Sequence, residues 1–280
     1  MTNLSEAQIR AIDLKIKKIA LEQGRGAMEM RTLFLLERAT ARLVLDTKLR
    51  EHLIFKGGYV ALRVYQSPRF TRDVDALIQG MSSEEAIARI RASMEIDIGD
   101  GAWFEFMGQE NLKTQGDYGG VRTEFRAGVG LPPKPISKSL KLHIDLGIDD
   151  AVVPGPHTVN TNYEIGEGSI SWKVYPIEVM IAEKIHALIT LGKKNSRSKD
   201  IYDLSIFLPK ADKEALKKAI HATFLHRKTD VPLKISDDLQ ASDTTVLKLG
   251  WASAIASIKS TVEFEVAFSN SILILKSLGL

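Results

Sequence analysis

The sequence of 280 residues contains no cysteine. This absence excludes disulfides, cysteine-based zinc sites and thiol catalysis, and it is compatible with a reducing compartment. A secretory signal is also missing, because the opening stretch MTNLSEAQIRAIDLKIKK is charged and amphipathic and has neither an apolar core nor a small-residue cleavage site. We therefore expect a cytoplasmic protein.

Long apolar runs are missing as well. The most apolar late stretch, VAFSNSILILKSLGL, is interrupted by Asn270 and Lys276 and is too short to cross a bilayer as a helix. The motifs HExxH and GxSxG do not occur, and the six histidines form no tight ligand cluster. These absences disfavour membrane partners, zinc-dependent hydrolysis and serine-hydrolase chemistry.

Neither sign of charge dominates, since 38 basic and 35 acidic residues leave a net charge of +3. This balance permits a nucleic-acid partner without requiring one. Local clustering is more informative, because the segment GKKNSRSKD at residues 192–200 concentrates basic side chains in a polar loop. We take four of them as candidates for binding an RNA backbone: Lys193, Lys194, Arg197 and Lys199. A solvated basic loop remains the alternative.

The hydrophobic pattern changes along the chain. Helices are predicted up to residue 21, beginning with a capping box of Ser5 and Gln8, and then over residues 28–49. Short strands follow at residues 53–55, 74–78, 103–107, 121–125, 140–148 and 170–175. Between them, short helices are predicted at residues 59–65 and 83–94. From Pro176 onward the pattern is helical. The sequence therefore predicts an α+β fold with a boundary near residue 175.

Two glycines end the first short strand. Gly57 and Gly58 follow the apolar residues 53–55 and precede a helical stretch, so their backbone N–H groups could face an anion at the start of a helix. A phosphate would fit there, although a Gly-Gly pair is more often only a turn.

Two aspartates lie on one side of the next strand. Because strand side chains alternate, Asp73 and Asp75 share a face and Val74 points the other way. Two carboxylates at this spacing can bind a hard cation, whereas a solvated strand end is the simpler interpretation of an isolated pair. A third acid strengthens the metal interpretation, because Asp145 lies on the polar side of the alternating strand KLHIDLGI.

A lysine interrupts an apolar helix face. Lys184 shares the face of Ile177, Ile181 and Leu188, so it needs either an anion, such as a nucleotide phosphate, or a route to water. Further along, Asp200 begins another helix beside the basic loop. It could serve the site or only favour the helix N-terminus, with Asp203 on the polar side.

Four segments, in order, resemble the AbiEii/AbiGii-type nucleotidyltransferases, which are toxins of abortive-infection toxin–antitoxin systems and relatives of the mycobacterial tRNA-targeting toxins. The segments are KGGYVAL, RFTRDVDAL, MIAEKIHALI and SRSKDIYDL, and they span residues 56–204. The resemblance implies a DNA-polymerase-β-like nucleotidyltransferase lobe, residues 1–175 with the N-terminal helices, and a helical lobe, residues 176–280, that completes the NTP cleft.

The resemblance also implies roles for individual residues. The nucleotide-binding positions match Gly57, Gly58, Thr71 and Lys184, and the catalytic positions match Asp73, Asp75, Lys184 and Asp200. Thr71 stands where serine is usual, and Lys199 stands where arginine is common. The metal would be Mg²⁺ or Mn²⁺, held by Asp73 and Asp75. Asp145 is added as a third ligand from strand parity and from the third acid typical of the wider superfamily.

The function implied is nucleotidyl transfer of the EC 2.7.7 type, from an NTP to an RNA acceptor such as the 3′ end of tRNA. Arg63, Arg69 and Arg72 join the basic loop as candidates for contacting that RNA, and a cognate antitoxin is an expected partner. Two alternatives stay open. One is nucleotidyl or phosphoryl transfer to a protein or small molecule, and the other is a non-catalytic relative that binds nucleotide or RNA.

Overall fold

A computed structural model describes residues 4–112, 119–258 and 262–280 of the chain. The chain divides into two compact units. The first comprises Met1–Val60, Thr71–Asp149 and Thr158–Val174, and the second comprises Ala61–Phe70, Asp150–His157 and Tyr175–Leu280. The division into residues 1–175 and 176–280 stays a prediction.

Side chains cap three of the five helices before and within the sheet region. The five helices are α1 (Glu6–Glu22), α2 (Ala27–Leu45), α3 (Thr47–His52), α4 (Gly57–Arg63) and α5 (Ser83–Met94), and the capped ones are α1, α3 and α5. The Ser5 hydroxyl accepts from the Gln8 N–H while the Gln8 side chain accepts from the Ser5 N–H, which confirms the predicted capping box. Ser82 caps α5 by accepting from the N–H of Glu85.

The prediction of one helix over residues 28–49 was wrong. Asp46 adopts an extended conformation after α2, and its carboxylate accepts a hydrogen bond from the N–H of Leu49 to start α3. An aspartate favours a helix N-terminus over a helix interior, since its short side chain competes for backbone N–H groups. The chain therefore forms two helices.

The sheet of the first unit has seven strands in the order β3-β4-β5-β2-β1-β7-β6. The strands are β1 (Leu53–Lys56), β2 (Asp73–Ile78), β3 (Ala102–Leu112), β4 (Gly120–Val129), β5 (Leu140–Ile148), β6 (His157–Asn162) and β7 (Ser169–Val174). β2 pairs parallel with β5 and antiparallel with β1, so the sheet is mixed. This sheet, with helices around it and a helical C-terminal region, confirms the predicted α+β class.

One face of the sheet is apolar and the other is polar. Val74, Ile144 and Leu146 are buried on the first face, as the alternation in the sequence predicts. The charged residues of the same strands lie on the opposite face, where the candidate site is found.

The second unit is mainly helical. Its helices are α6 (Ile177–Leu191), α7 (Ser198–Phe207), α8 (Lys213–His226), α9 (Ile235–Gln240), α10 (Thr245–Ile255) and α11 (Phe264–Leu278). The predicted helices that begin at Ile177 and near Lys199 are confirmed. Among the described residues, no helix is both long and apolar enough to cross a membrane.

Candidate functional site

The two aspartates of β2 lie on the polar face of the sheet. Val74 between them is fully buried, whereas the side chain of Asp73 is 39% exposed. Asp75 is partly buried on the same side. The alternation predicted from the sequence is therefore present in the folded strand.

A row of charged residues crosses five strands through Asp75. Strand register makes Asp75 the neighbour of Asp145 on β5 and of Lys56 on β1. Asp145 in turn is the neighbour of Arg122 on β4, which is opposite Glu110 on β3. Directly opposed residues share a face and lie within reach of each other, so two carboxylates meet in the middle of this row and a cation flanks each side.

Arg122 neutralises Asp145. Its Nε donates to Oδ1 of Asp145 at 2.8 Å and its Nη2 donates to Oδ2 at 2.7 Å, a bidentate ion pair. The hydrogen bonds to Asp145 raise the pKa of Arg122, and the charges of Asp73 and Glu110 act in the same direction. Both oxygens of the predicted third metal ligand are therefore engaged.

His143 stands beside Asp73 in the adjacent strand. The two residues are register partners, and Nδ1 of His143 lies 3.1 Å from Oδ1 of Asp73. On the other side, Nε2 of His143 is 3.9 Å from Glu124, whose carboxylate pairs with Lys141 at 2.6 Å. The imidazole therefore orients the Asp73 carboxylate through one of its ring nitrogens.

Gly57 lies against the carboxylate of Asp75. Its φ of +71° is in the left-handed region, and a Cβ at this position would overlap the Asp75 side chain. Gly58 follows in the first turn of α4, and Thr71 lies two residues before β2; both are partly exposed. Glycine at position 57 is thus required both by the backbone and by the close approach of Asp75.

The donor set at Asp73 and Asp75 fits Mg²⁺. This ion usually takes one or two protein carboxylates and completes its shell with water and substrate phosphates. Within the described part of the chain, no three His, Asp or Glu side chains form a group that could hold a metal ion. Asp145 as a third ligand stays a prediction, since Arg122 occupies both of its oxygens.

The second unit contains a buried cluster of charges around Lys184. Nζ of Lys184 on α6 donates to Oδ1 of Asp200 at 2.8 Å and to Oδ2 of Asp203 at 2.7 Å, both on α7. Asp200 and Asp203 are almost fully buried. Asp200 and Asp203 therefore supply the negative charge that Lys184 requires within its apolar stripe. The expectation that Asp203 lies on the polar side of its helix was wrong.

Two arginines complete this cluster. Arg69 donates from Nε and Nη2 to the two oxygens of Asp203, each at 3.0 Å, and Arg197 donates from Nε to Asp200 at 2.5 Å. Three cations and two carboxylates leave the cluster with one net positive charge. The Arg197 side chain, 48% exposed, carries that charge toward solvent.

The pKa values of the cluster follow from burial and pairing together. Burial alone would raise the pKa of Asp200 and of Asp203, but Lys184 and the arginines outweigh it and hold both below the ordinary range. For Lys184, burial would lower the pKa, whereas the two carboxylates raise it above its ordinary value. All of these groups are charged at neutral pH.

The basic loop keeps its side chains in solvent. Lys193, Lys194, Arg197 and Lys199 are exposed, while Asn195 and Ser198 between them are buried. The Ser198 hydroxyl donates to the carbonyl of Leu247 at 2.8 Å, which fixes the start of α7. The exposed cations are therefore presented from an anchored segment.

Sequence reasoning missed several residues of these sites. Arg122 could have been noticed, since the strand VRTEFRAG alternates in the same way as the strand of Asp145. The sequence suggested Arg69 only as an RNA contact, although its guanidinium is engaged by a buried carboxylate. Its partner lies 134 residues away, and no local pattern signals such a pairing.

Comparison with known proteins identifies one family. The family described as "Nucleotidyl transferase AbiEii toxin, Type IV TA system" matches residues 40–268. No curated protein matches the chain.

Solved structures show weaker likenesses. An H. pylori protein provisionally described as a nucleotidyltransferase has a TM-score of 0.49 at 15% identity, with 99% of this chain and 96% of that chain covered. JHP933 from Helicobacter pylori has a TM-score of 0.45 at 16% identity, with coverages of 99% and 94%. An antigenic nucleotidyltransferase-like protein from Paracoccidioides brasiliensis has a TM-score of 0.37 at 18% identity, with coverages of 75% and 96%. No TM-score here exceeds 0.49, so these likenesses carry no argument for function.

Proposed function

Since the chain belongs to the AbiEii nucleotidyltransferase toxin family of type IV toxin–antitoxin systems, matching it over residues 40–268, we propose that it transfers a nucleoside monophosphate from an NTP to RNA. The proposed acceptor is the 3′ end of a tRNA, and the proposed cofactor is Mg²⁺ or Mn²⁺. Pyrophosphate is the leaving group. Because NTPs and tRNA are both found in the cytoplasm, we propose that the reaction takes place there.

The observation that supports this proposal is the pair of carboxylates on the polar face of β2. Asp73 and Asp75 would hold the cation, with His143 orienting Asp73 and Gly57 allowing Asp75 to lie close to the backbone. When bound, the cation would lower the pKa of the attacking hydroxyl and neutralise charge that develops on the transferred phosphate. Asp145 is the proposed third ligand.

The proposed nucleotide contacts come from the family positions. Gly57, Gly58 and Thr71 would face the triphosphate. Lys184 has three N–H donors, and among the described residues two of them are taken by Asp200 and Asp203. Lys184 is proposed as a nucleotide contact from its family position alone. In this proposal Asp200 holds Lys184 and Arg197 in place.

The proposed RNA contacts are the exposed cations of the basic loop. Lys193, Lys194, Arg197 and Lys199 could bind phosphates of the acceptor backbone, an interaction that weakens steeply with salt. Membership of a type IV toxin–antitoxin family also implies an antitoxin partner.

The proposal is tested by incubating the protein with total tRNA, Mg²⁺ and each radiolabelled NTP in turn. We expect label in RNA with the native protein, and a loss of at least about a hundredfold for Asp73→Asn and for Asp75→Asn, because charge stabilisation at the reacting phosphate is a large part of such catalysis. Glu105→Gln removes an exposed carboxylate from the same sheet and is the matched control. Thermal unfolding verifies that each variant folds.

Each other outcome contradicts a stated part of the proposal. Label on a protein or small molecule would move the acceptor there. Absence of label from every product, with nucleotide binding retained, would favour the non-catalytic alternative. Unchanged labelling by both aspartate variants would remove Asp73 and Asp75 from the site.

A further inference from the structure

The proposed third metal ligand already has a cation bound to it. Arg122 engages both oxygens of Asp145, which is itself the strand neighbour of Asp75. Directly opposed like charges destabilise a sheet, so Asp75 and Asp145 repel each other when no other charge intervenes. Arg122 offsets this repulsion from one side of the pair.

Arg122 also has a second carboxylate within reach. Oε1 of Glu110, on the opposite neighbouring strand, is 3.9 Å from Nη1 of Arg122, and the Glu110 side chain is 67% exposed. The Arg122 side chain itself is 30% exposed, so part of its guanidinium surface is open to solvent. A small rotation of the guanidinium toward β3 would exchange Asp145 for Glu110.

We propose that Arg122 is a built-in counter-ion that occupies Asp145 in the metal-free protein and moves to Glu110 when a divalent cation binds Asp145. This inference rests on the proposed function, because it assumes a cation at Asp73 and Asp75. As a consequence, the metal competes with the Arg122 guanidinium for the carboxylate of Asp145. Arg122 thereby lowers the affinity of the site for metal and stabilises the sheet while the metal is absent.

The inference is tested with Mn²⁺ as the probe, titrated against the purified full chain and followed by the electron paramagnetic resonance signal of the free ion. We expect Arg122→Gln to bind Mn²⁺ about tenfold more tightly, the size expected for removing one unit charge beside a divalent cation in a water-like dielectric. Arg126→Gln is the matched control. Arg126 lies further along β4 on the same face and donates to the carbonyls of Ser137 and Ser139, so we expect an unchanged affinity.

Glu110 is tested through its coupling to Arg122. Glu110→Gln should weaken Mn²⁺ binding in the native background. It should weaken binding less when Arg122→Gln is already present, because that background has no guanidinium that must move to Glu110. Equal effects of Glu110→Gln in both backgrounds would show that Glu110 acts only as a nearby charge, which would overturn the exchange between partners.

Thermal unfolding gives a second readout that does not depend on activity. Without metal, Arg122→Gln should unfold at a lower temperature than the native protein, and saturating Mn²⁺ should raise its unfolding temperature by more. Arg122→Lys keeps the positive charge on a single ammonium group. Its unfolding temperature without metal should therefore lie between those of Arg122→Gln and the native protein, which distinguishes loss of charge from poor folding.

The failures of the inference and of the proposed function are distinguishable. If Asp73→Asn with Asp75→Asn leaves Mn²⁺ binding unchanged, the proposed metal site is wrong. If that double variant abolishes binding while Arg122→Gln binds Mn²⁺ no more tightly than the native protein, the metal site stands and the counter-ion is overturned.

Discussion

Asp203 accepts hydrogen bonds from two cations that belong to different segments of the second unit. Arg69 contacts both of its oxygens and Lys184 contacts one, while almost none of the residue is exposed. Removing one member of a buried ion network leaves the opposite charges without compensation, and this is far more costly than losing a surface pair.

We therefore expect Asp203→Asn to lower the free energy of unfolding by about 3 kcal/mol. Asp238→Asn, at an exposed position of α9, is the control and should change it by less than about 0.5 kcal/mol. Urea unfolding measures both. A small effect of Asp203→Asn would mean that water or Asp200 takes over the pairing.

His186 is a second buried group whose charge state matters. Burial and the nearby Arg227 lower the pKa of His186 from 6.5 to about 4. Its Nε2 lies 3.0 Å from the hydroxyl of Thr229, and its ring packs edge-on against Phe224. The folded protein therefore holds the imidazole in its neutral form.

This lowered pKa predicts a loss of stability in mild acid. The unfolded chain binds a proton near pH 6.5 and the folded chain only near pH 4, so the stabilisation is complete above pH 6.5 and is lost as the pH falls toward 4. Between pH 7 and pH 5 the loss should be about 2 kcal/mol. Urea unfolding at both pH values should show a smaller loss for His186→Gln, and an unchanged loss for His221→Gln, since His221 is exposed.

At the scale of single residues, sequence patterns identify which groups are unusual but not what they contact. Lys184 is conspicuous because it interrupts an apolar stripe, and the alternation in β5 correctly places Asp145 on the polar side. The partners Arg69, Asp203 and Arg122 were missed. Each pairing joins positions distant in sequence, and burial of Asp203 depends on tertiary packing, which helix propensity does not encode.

The junction of β1 and α4 depends on one glycine. Gly57 needs both a positive φ and an unobstructed approach of the Asp75 carboxylate. Gly99 has a closely similar φ of +72°, but no atom lies within 4 Å of the point where its Cβ would stand. Comparing substitutions at these two glycines therefore distinguishes the cost of backbone strain from the cost of steric overlap.

We expect Gly57→Ala to be more damaging than Gly99→Ala. Both variants place a side chain in the left-handed region, at about 1 kcal/mol, and Gly57→Ala adds a displacement of Asp75. Thermal unfolding should show a larger decrease for Gly57→Ala, accompanied by weaker Mn²⁺ binding that Gly99→Ala does not share. Equal effects on both measurements would rule out a special role for the contact with Asp75.

At the scale of elements, periodicity was most successful where the pattern was regular. The helix α5 and the strand β5 have the predicted bounds, because alternating or helical spacing continues to both ends. The edge strand β6 was missed, since its sequence HTVNTN is largely polar and exposed and has no buried face to mark it. Asp46 divides α2 from α3 through a cap that the helical pattern obscures.

At the scale of the whole molecule, the order of strands was beyond sequence patterns. The proximity of Asp75 and Asp145 depends on β2 lying beside β5, a parallel pairing between strands that are distant along the chain. Such pairings are selected by the packing of the whole sheet. Periodicity predicted the α+β class, whereas only the resemblance to a known family implied a particular fold.

The small net charge of +3 implies that any RNA binding depends on local clusters. We expect the triple change of Lys193, Lys194 and Lys199 to glutamine to reduce the slope of log affinity against log salt for tRNA by about 2, corresponding to about 0.7 for each lost phosphate contact. The same triple change at Lys15, Lys17 and Lys18 on α1 is the control and should leave the slope unchanged. Filter binding across a series of salt concentrations measures both slopes, and equal slopes for the two triple variants would remove the loop from the interface.

The ion cluster around Lys184 also bears on how the protein is synthesised. Arg69 leaves the ribosome 134 residues before its partner Asp203. A nascent or prematurely terminated chain that ends between Lys184 and Asp203 therefore has Arg69 and Lys184 without their shared carboxylate. Completion of the cluster must wait for the last third of translation, and a truncated product cannot assemble it.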